Sequence, residues 1–115
     1  MVRTWCAAAA AAVALLLQAG PAGAFTKQDV TLPMDDGVAI AATLTLPAGA
    51  PPAGGWPAIV FLHGLAETRQ DSQAIAETYG FAGEQYAVLT FDARGHGQSG
   101  GLVSIDGPRE VADTR

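Results

Sequence analysis

The chain has 115 residues, six basic and eleven acidic side chains, and a formal net charge of -5. With no cluster of Lys or Arg, this acidic balance argues against a nucleic-acid partner and against electrostatic attachment to anionic lipid. Its one cysteine, Cys6, rules out an internal disulfide framework.

Met1-Val2-Arg3 is a short basic start, followed by an apolar run over residues 6–17 and by Ala22-Gly23-Ala24. That is the order of a signal peptide: basic start, apolar stretch, small-residue cleavage site. The run falls short of the about 20 residues a membrane-crossing helix needs. Residues 1–24 are therefore expected to be a cleaved signal peptide. The protein is expected to be secreted or periplasmic, with no stable membrane insertion after cleavage. Removing residues 1–24 takes away one charge, that of Arg3, so the remainder is more acidic still.

Residues 30–33 form a short extended run before Asp35-Asp36-Gly37, a strong turn signal. Residues 38–46 read VAIAATLTL, with Val38, Ile40, Ala42, Leu44 and Leu46 on one face and Thr43 and Thr45 on a polar face. The two runs predict a β-hairpin. Residues 47–57 are rich in Pro and Gly and read as a surface connector.

Residues 58–62, AIVFL, form a continuous apolar run that fits a parallel strand buried on both faces. His63-Gly64 ends it. Residues 72–81 read as a helix, with Ile75, Tyr79 and Ala82 along its apolar stripe. Residues 86–91, YAVLTF, predict a second buried strand. A glycine-rich loop follows over residues 92–101, and Pro108 suits the first turn of a final helix. A hairpin followed by a βαβ unit places the chain in the α/β class. Two parallel strands and one hairpin cannot cover their own apolar faces. The sheet is expected to be incomplete, and residues 25–115 to be the N-terminal portion of a larger α/β domain.

Two segments carry candidate chemistry. Gly64 can turn the backbone sharply at the C-terminal end of a strand, where open α/β sheets bind ligands. The amides of Leu65 and Ala66 could then face a developing oxyanion. Alternatively, His63-Gly64 is only a strand-to-loop break with a structural histidine. In the loop Asp92-Ala93-Arg94-Gly95-His96-Gly97-Gln98-Ser99-Gly100, Asp92, His96 and Ser99 could act as acid, base and nucleophile. Nothing in the spacing enforces the contacts of a triad. The other reading is a structural loop in which Asp92 and Arg94 pair or bind loop amides while glycines allow close approach. No G-x-x-x-x-G-K-[ST] occurs, and Gly95, Gly97 and Gly100 follow the second parallel strand instead of joining a first strand to its helix, so a nucleotide site is not indicated; no metal-ligand motif is present. No cofactor or metal is implied.

Together, WPAIVFLHGLAETRQD and YAVLTFDARGHGQSGG, with the preceding LTLPAG and the later IDGPREVADTR, resemble the α/β-hydrolases. More narrowly they resemble the X-Pro dipeptidyl-peptidase-like (CocE/NonD, peptidase S15-like) serine hydrolases. The resemblance implies that His63 and Gly64 form the oxyanion loop and that the Leu65 backbone N–H is half of the oxyanion hole. It implies that Asp92, Arg94, Gly95, Gly97 and Ser99 shape the floor of the site without being catalytic. It also implies a G-x-S-x-G nucleophile elbow, followed by an acid and a histidine. No such motif occurs in these residues, so no catalytic nucleophile, acid or base is assigned. The implied activity is hydrolysis of small-molecule ester, amide or peptide substrates by a serine mechanism. The alternatives are an inactive truncated product and a non-enzymatic binding module on a hydrolase-like scaffold.

Overall fold

The computed structural model describes residues 24–115 of the chain, so the leader read over residues 1–24 lies almost wholly outside the described residues. A four-stranded mixed sheet runs in the order β1-β2-β4-β3. Its strands are β1 (Phe25–Pro33), β2 (Ala39–Pro47), β3 (Ala58–Leu62) and β4 (Ala87–Phe91). Helix α1 (Arg69–Thr78) crosses between β3 and β4, and α2 (Pro108–Ala112) follows the loop after β4. β1 and β2 form the hairpin, β2 pairs antiparallel with β4, and β3 pairs parallel with β4.

The hairpin is longer than its apolar pattern suggests. β1 begins at Phe25 because its partners run from Phe25 opposite Pro47 to Pro33 opposite Ala39. Backbone pairing carries the polar stretch Thr26–Asp29 into the sheet, where side-chain patterning gives no signal. Asp29 also accepts a hydrogen bond from Thr43 Oγ1 (2.7 Å) across the pair.

The two faces of the sheet differ. Ile40, Ala42 and Phe91 form the buried core of one face, with Val30, Leu32, Met34, Val38 and Leu89 against it. The other face lies under α1 and is more polar than an ordinary core. There Gln73 of α1 reaches Thr45 (3.1 Å) and Thr90 (3.2 Å), both buried. The polar face of Thr43 and Thr45 is turned toward α1: Thr45 is buried, and both contact the helix.

Helix α1 starts and ends three residues earlier than its apolar stripe implies. Thr68 and Asp71 fix the start: the Asp71 carboxylate accepts the Thr68 N–H (2.9 Å) and hydroxyl (3.1 Å). The buried face is Arg69, Ser72 and Ala76, while Ile75 and Tyr79 are exposed. The helix packs on a sheet face lined with hydroxyls, so small and polar residues face inward.

β3 also departs from expectation. Val60 and Leu62 are exposed, because α1 covers only the face toward which Phe61 points. Among the described residues no helix lies over their side. The architecture is a mixed, open sheet flanked by helices, the incomplete α/β arrangement expected from the chain pattern. Among the described residues no helix is long and apolar enough to cross a membrane.

Candidate active-site floor

Both predicted segments leave the sheet at the same end. β3 and β4 are parallel neighbours with Leu62 opposite Phe91, so His63 and Asp92 emerge side by side. Beyond them lies a cleft of about 420 Å³ whose lining includes His63, Gly64, Leu65, Ala93, His96 and Val111.

His63 joins the two loops. The Ala93 N–H donates to its Nε2 (2.9 Å), which leaves the ring hydrogen on Nδ1 to donate to the Gly64 carbonyl (2.8 Å). The ring of His96 stands edge-on to that of His63, with centroids 4.9 Å apart. Leu65 and Ala66 then occupy the centre of a turn closed by the Glu67 N–H donating to Gly64 O (3.1 Å). Ala66 has φ +65°, the positive angle a type II turn needs at its third residue. Among the described residues, neither the Leu65 nor the Ala66 N–H donates to a protein acceptor. Leu65 itself is 72 % exposed at the cleft.

The loop after β4 is organised around Asp92, which is wholly buried. Its carboxylate accepts the main-chain N–H of Arg69 (2.7 Å) and of Gln98 (2.9 Å) and pairs with the Arg69 guanidinium. Burial pushes the Asp92 pKa up, but those two amides and the Arg69 side chain outweigh it and hold it below 3.8. Arg69 is completed by Gln98 Oε1 (2.6 Å) and Thr43 Oγ1 (3.2 Å). One buried cluster therefore fixes the start of α1, the loop after β4 and the middle of β2.

Gly97 has no alternative here: φ is +50°, and a side chain would overlap the Asp92 carboxyl. At Gly95 (φ +77°) an added Cβ would come within 2.6 Å of the Val103 amide nitrogen. Ser99 ties the loop to β2. Its Oγ donates to Asp92 O (2.6 Å) and accepts the Ala41 N–H (2.8 Å).

Arg94 forms a second buried centre. Its fork donates to Asp113 (2.9 and 2.6 Å) and to Asp36 (2.7 and 3.3 Å). Hydrogen bonds to Asp113 and then Asp36 raise its pKa further, so the guanidinium is a fixed charge. The hairpin turn, the loop and α2 are thereby clamped together.

Asp92, His96 and Ser99 are near one another in sequence but do not form a triad. Ser99 Oγ is spent on backbone groups, His96 Nδ1 faces Arg94 O (3.2 Å), and Asp92 serves Arg69 and Gln98. Asp92 and Arg94 do not pair with each other either. Their partners Arg69, Asp36 and Asp113 leave no local signal in the sequence because they lie 19 to 58 residues away. The one local clue was Thr68-Arg69-Gln70-Asp71, a capping-box pattern that places Arg69 at the first turn of α1.

Comparison with known proteins agrees with this architecture. The X-Pro dipeptidyl-peptidase (S15 family) profile matches residues 36–115. No curated protein matches the chain. Among solved structures, the esterase Pf2001 of Pyrococcus furiosus is similar at 27 % identity and TM-score 0.59, over 78 % of this chain and 34 % of its own. An α/β-hydrolase of Sphaerobacter thermophilus is similar at 27 % identity and TM-score 0.53, over 74 % of this chain and 29 % of its own. The fold is shared also with the α/β-hydrolase GrgF of Penicillium sp. (23 % identity, TM-score 0.62, 77 % of this chain and 29 % of that one). The chain spans about a third of the length of these proteins. It belongs to the X-Pro dipeptidyl-peptidase (S15) family and is built on an α/β-hydrolase fold.

Proposed function

We propose that the whole protein is a serine hydrolase, secreted or periplasmic, that cleaves small ester, amide or peptide substrates. In this reading the present chain supplies one wall of the active site. The observation that carries it is the Leu65 N–H: a backbone donor without a protein acceptor, on a tight turn, beside a cleft at the C-terminal end of the parallel strands. Such a group suits an oxygen that gains negative charge during attack on an acyl carbon. Family membership supports the reaction class.

The nucleophile, acid and base are expected from residues outside this sequence, because no G-x-S-x-G occurs within it. A serine there attacks the acyl carbon while a histidine, oriented by an acid, takes its proton and later delivers it to the leaving group. The Leu65 N–H donates to the carbonyl oxygen as it becomes an oxyanion. His63 holds the turn, and the loop from Asp92 to Ser99 forms the floor.

The test is labelling of the full-length gene product by a fluorophosphonate, which reacts with activated serines. Wild type should label, and Leu65→Pro should lose about 10²–10³ in rate, the cost of one oxyanion-hole donor. Proline suits the second position of a type II turn, so it removes the N–H while keeping the turn. Absence of labelling in the wild type contradicts the hydrolase reading. Unchanged labelling in Leu65→Pro contradicts the role of this amide.

A further inference from the structure

We infer that Glu67 is a positioning residue that sets the direction of the Leu65 N–H, an assignment that rests on the hydrolase reading above. The Leu65 N–H and the Gly64 carbonyl belong to one planar trans unit and point in opposite directions. Whatever holds Gly64 O therefore aims the Leu65 N–H. Gly64 O accepts the Glu67 N–H (3.1 Å) and the His63 Nδ1–H (2.8 Å).

The preceding peptide unit is held as well. The Gly64 N–H donates to Glu67 Oε2 at 2.8 Å. Glycine has the widest backbone freedom of any residue, so both units flanking Gly64 could otherwise rotate. Glu67 restrains both, one through its main chain and one through its carboxylate. The carboxylate also fits the glycine closely: a Cβ on Gly64 would lie 3.0 Å from Glu67 Oε2. The next residue, Thr68, caps the start of α1, whose first turn is bound to buried Asp92. Glu67 thus transmits the rigidity of α1 and the loop after β4 to an exposed turn.

The assignment predicts a kinetic signature in the full-length protein. Glu67→Ala keeps the main-chain bond and deletes the side-chain acceptor. It should lower kcat on the order of tenfold, less than the about 10²–10³ for losing a donor outright, with KM little changed. Glu67→Gln retains an acceptor oxygen and should stay within about threefold of wild type. Amide hydrogen exchange gives a readout independent of turnover. The Gly64 N–H should be protected in wild type and in Glu67→Gln, and should exchange faster in Glu67→Ala. Wild-type kcat in Glu67→Ala, equal losses in both variants, or unchanged Gly64 exchange in Glu67→Ala would each overturn the assignment. A wild-type protein that does not label with fluorophosphonate defeats the hydrolase reading instead, and the exchange experiment still decides whether Glu67 holds the turn.

Discussion

Asp92 grips Arg69 twice, accepting its main-chain N–H at 2.7 Å and pairing with its guanidinium, with both side chains almost wholly buried. The pair links the first residue of α1 to the first residue after β4. A buried ion pair is weak evidence of net stabilisation, because desolvation opposes the attraction. Removing one partner is a different matter, since the other is left charged and unsatisfied.

Asp92→Ala should accordingly destabilise the protein by about 3–5 kcal/mol. Asp92→Asn keeps the shape and one acceptor oxygen and should cost less. Urea unfolding of the full-length protein measures both. Equal, small changes in midpoint would show that the cluster contributes little to folding.

The same carboxylate makes a pH prediction. Asp92 has its pKa lowered, against the push of burial, by the amides of Arg69 and Gln98 and by the Arg69 side chain. Asp36 is lowered chiefly by its hydrogen bond to Arg94. A carboxylate with a depressed folded-state pKa stabilises the fold fully above its unfolded value and loses that contribution as pH falls through the folded value. Stability should therefore be flat near neutrality and decline as the pH drops below about 3.8. The decline should be shallower in Asp92→Asn, which lacks the titrating group. Chemical unfolding at a series of pH values reads this directly.

Two glycines separate steric from conformational cost. Gly49 has φ +91° with nothing within 4 Å of an added Cβ, so Gly49→Ala should cost only the left-handed strain of about 1–2 kcal/mol. Gly97→Ala adds overlap with the Asp92 carboxyl and should cost about 3 kcal/mol or more. If the two variants unfold at the same urea concentration, the packing of Gly97 on Asp92 is not a constraint.

These contrasts show which features were legible in the sequence. β3, β4 and the Asp-Gly turn are local: two short, largely apolar runs and a turn dipeptide announce them without reference to the rest of the chain. The first half of β1 was not legible, because Thr26–Asp29 enter the sheet through backbone pairing with β2. The boundaries of α1 are not legible locally, because Ile75 and Tyr79 have the spacing of a core stripe yet are exposed. The helix instead turns Ser72 and Ala76 toward a hydroxyl-lined sheet face. Of the site loop, the glycines and Asp92 stood out by composition. The partners that give Asp92 and Arg94 their roles are tertiary, and no local pattern encodes a pairing across 58 residues such as Arg94 with Asp36.

Arg94 offers a test of that tertiary clamp. Arg94→Lys keeps the charge but cannot present a planar fork to Asp113 and Asp36 together. Hydrogen exchange should rise in α2 and in the turn at residues 35–37, while β3 and β4 stay protected. Uniform change across the whole sheet would mean that Arg94 supports global stability and is no specific clamp.

Ser99 is the residue most easily mistaken for a nucleophile, and its geometry predicts the opposite result. Its Oγ donates to Asp92 O and accepts the Ala41 N–H, so both of its roles are spent on backbone groups of two different segments. A catalytic serine needs a base positioned to take its proton, and the hydrogen of this hydroxyl is directed to a carbonyl. Ser99→Ala leaves the Ala41 N–H without this partner, which should lower stability by about 1–3 kcal/mol. Fluorophosphonate labelling of the folded, full-length variant should remain near the wild-type rate at a temperature well below unfolding. Labelling that disappears in Ser99→Ala while the variant remains folded would place the nucleophile in this loop. It would also require His96 to leave Arg94 O and approach Ser99, a rearrangement visible as a changed His96 ring environment by NMR.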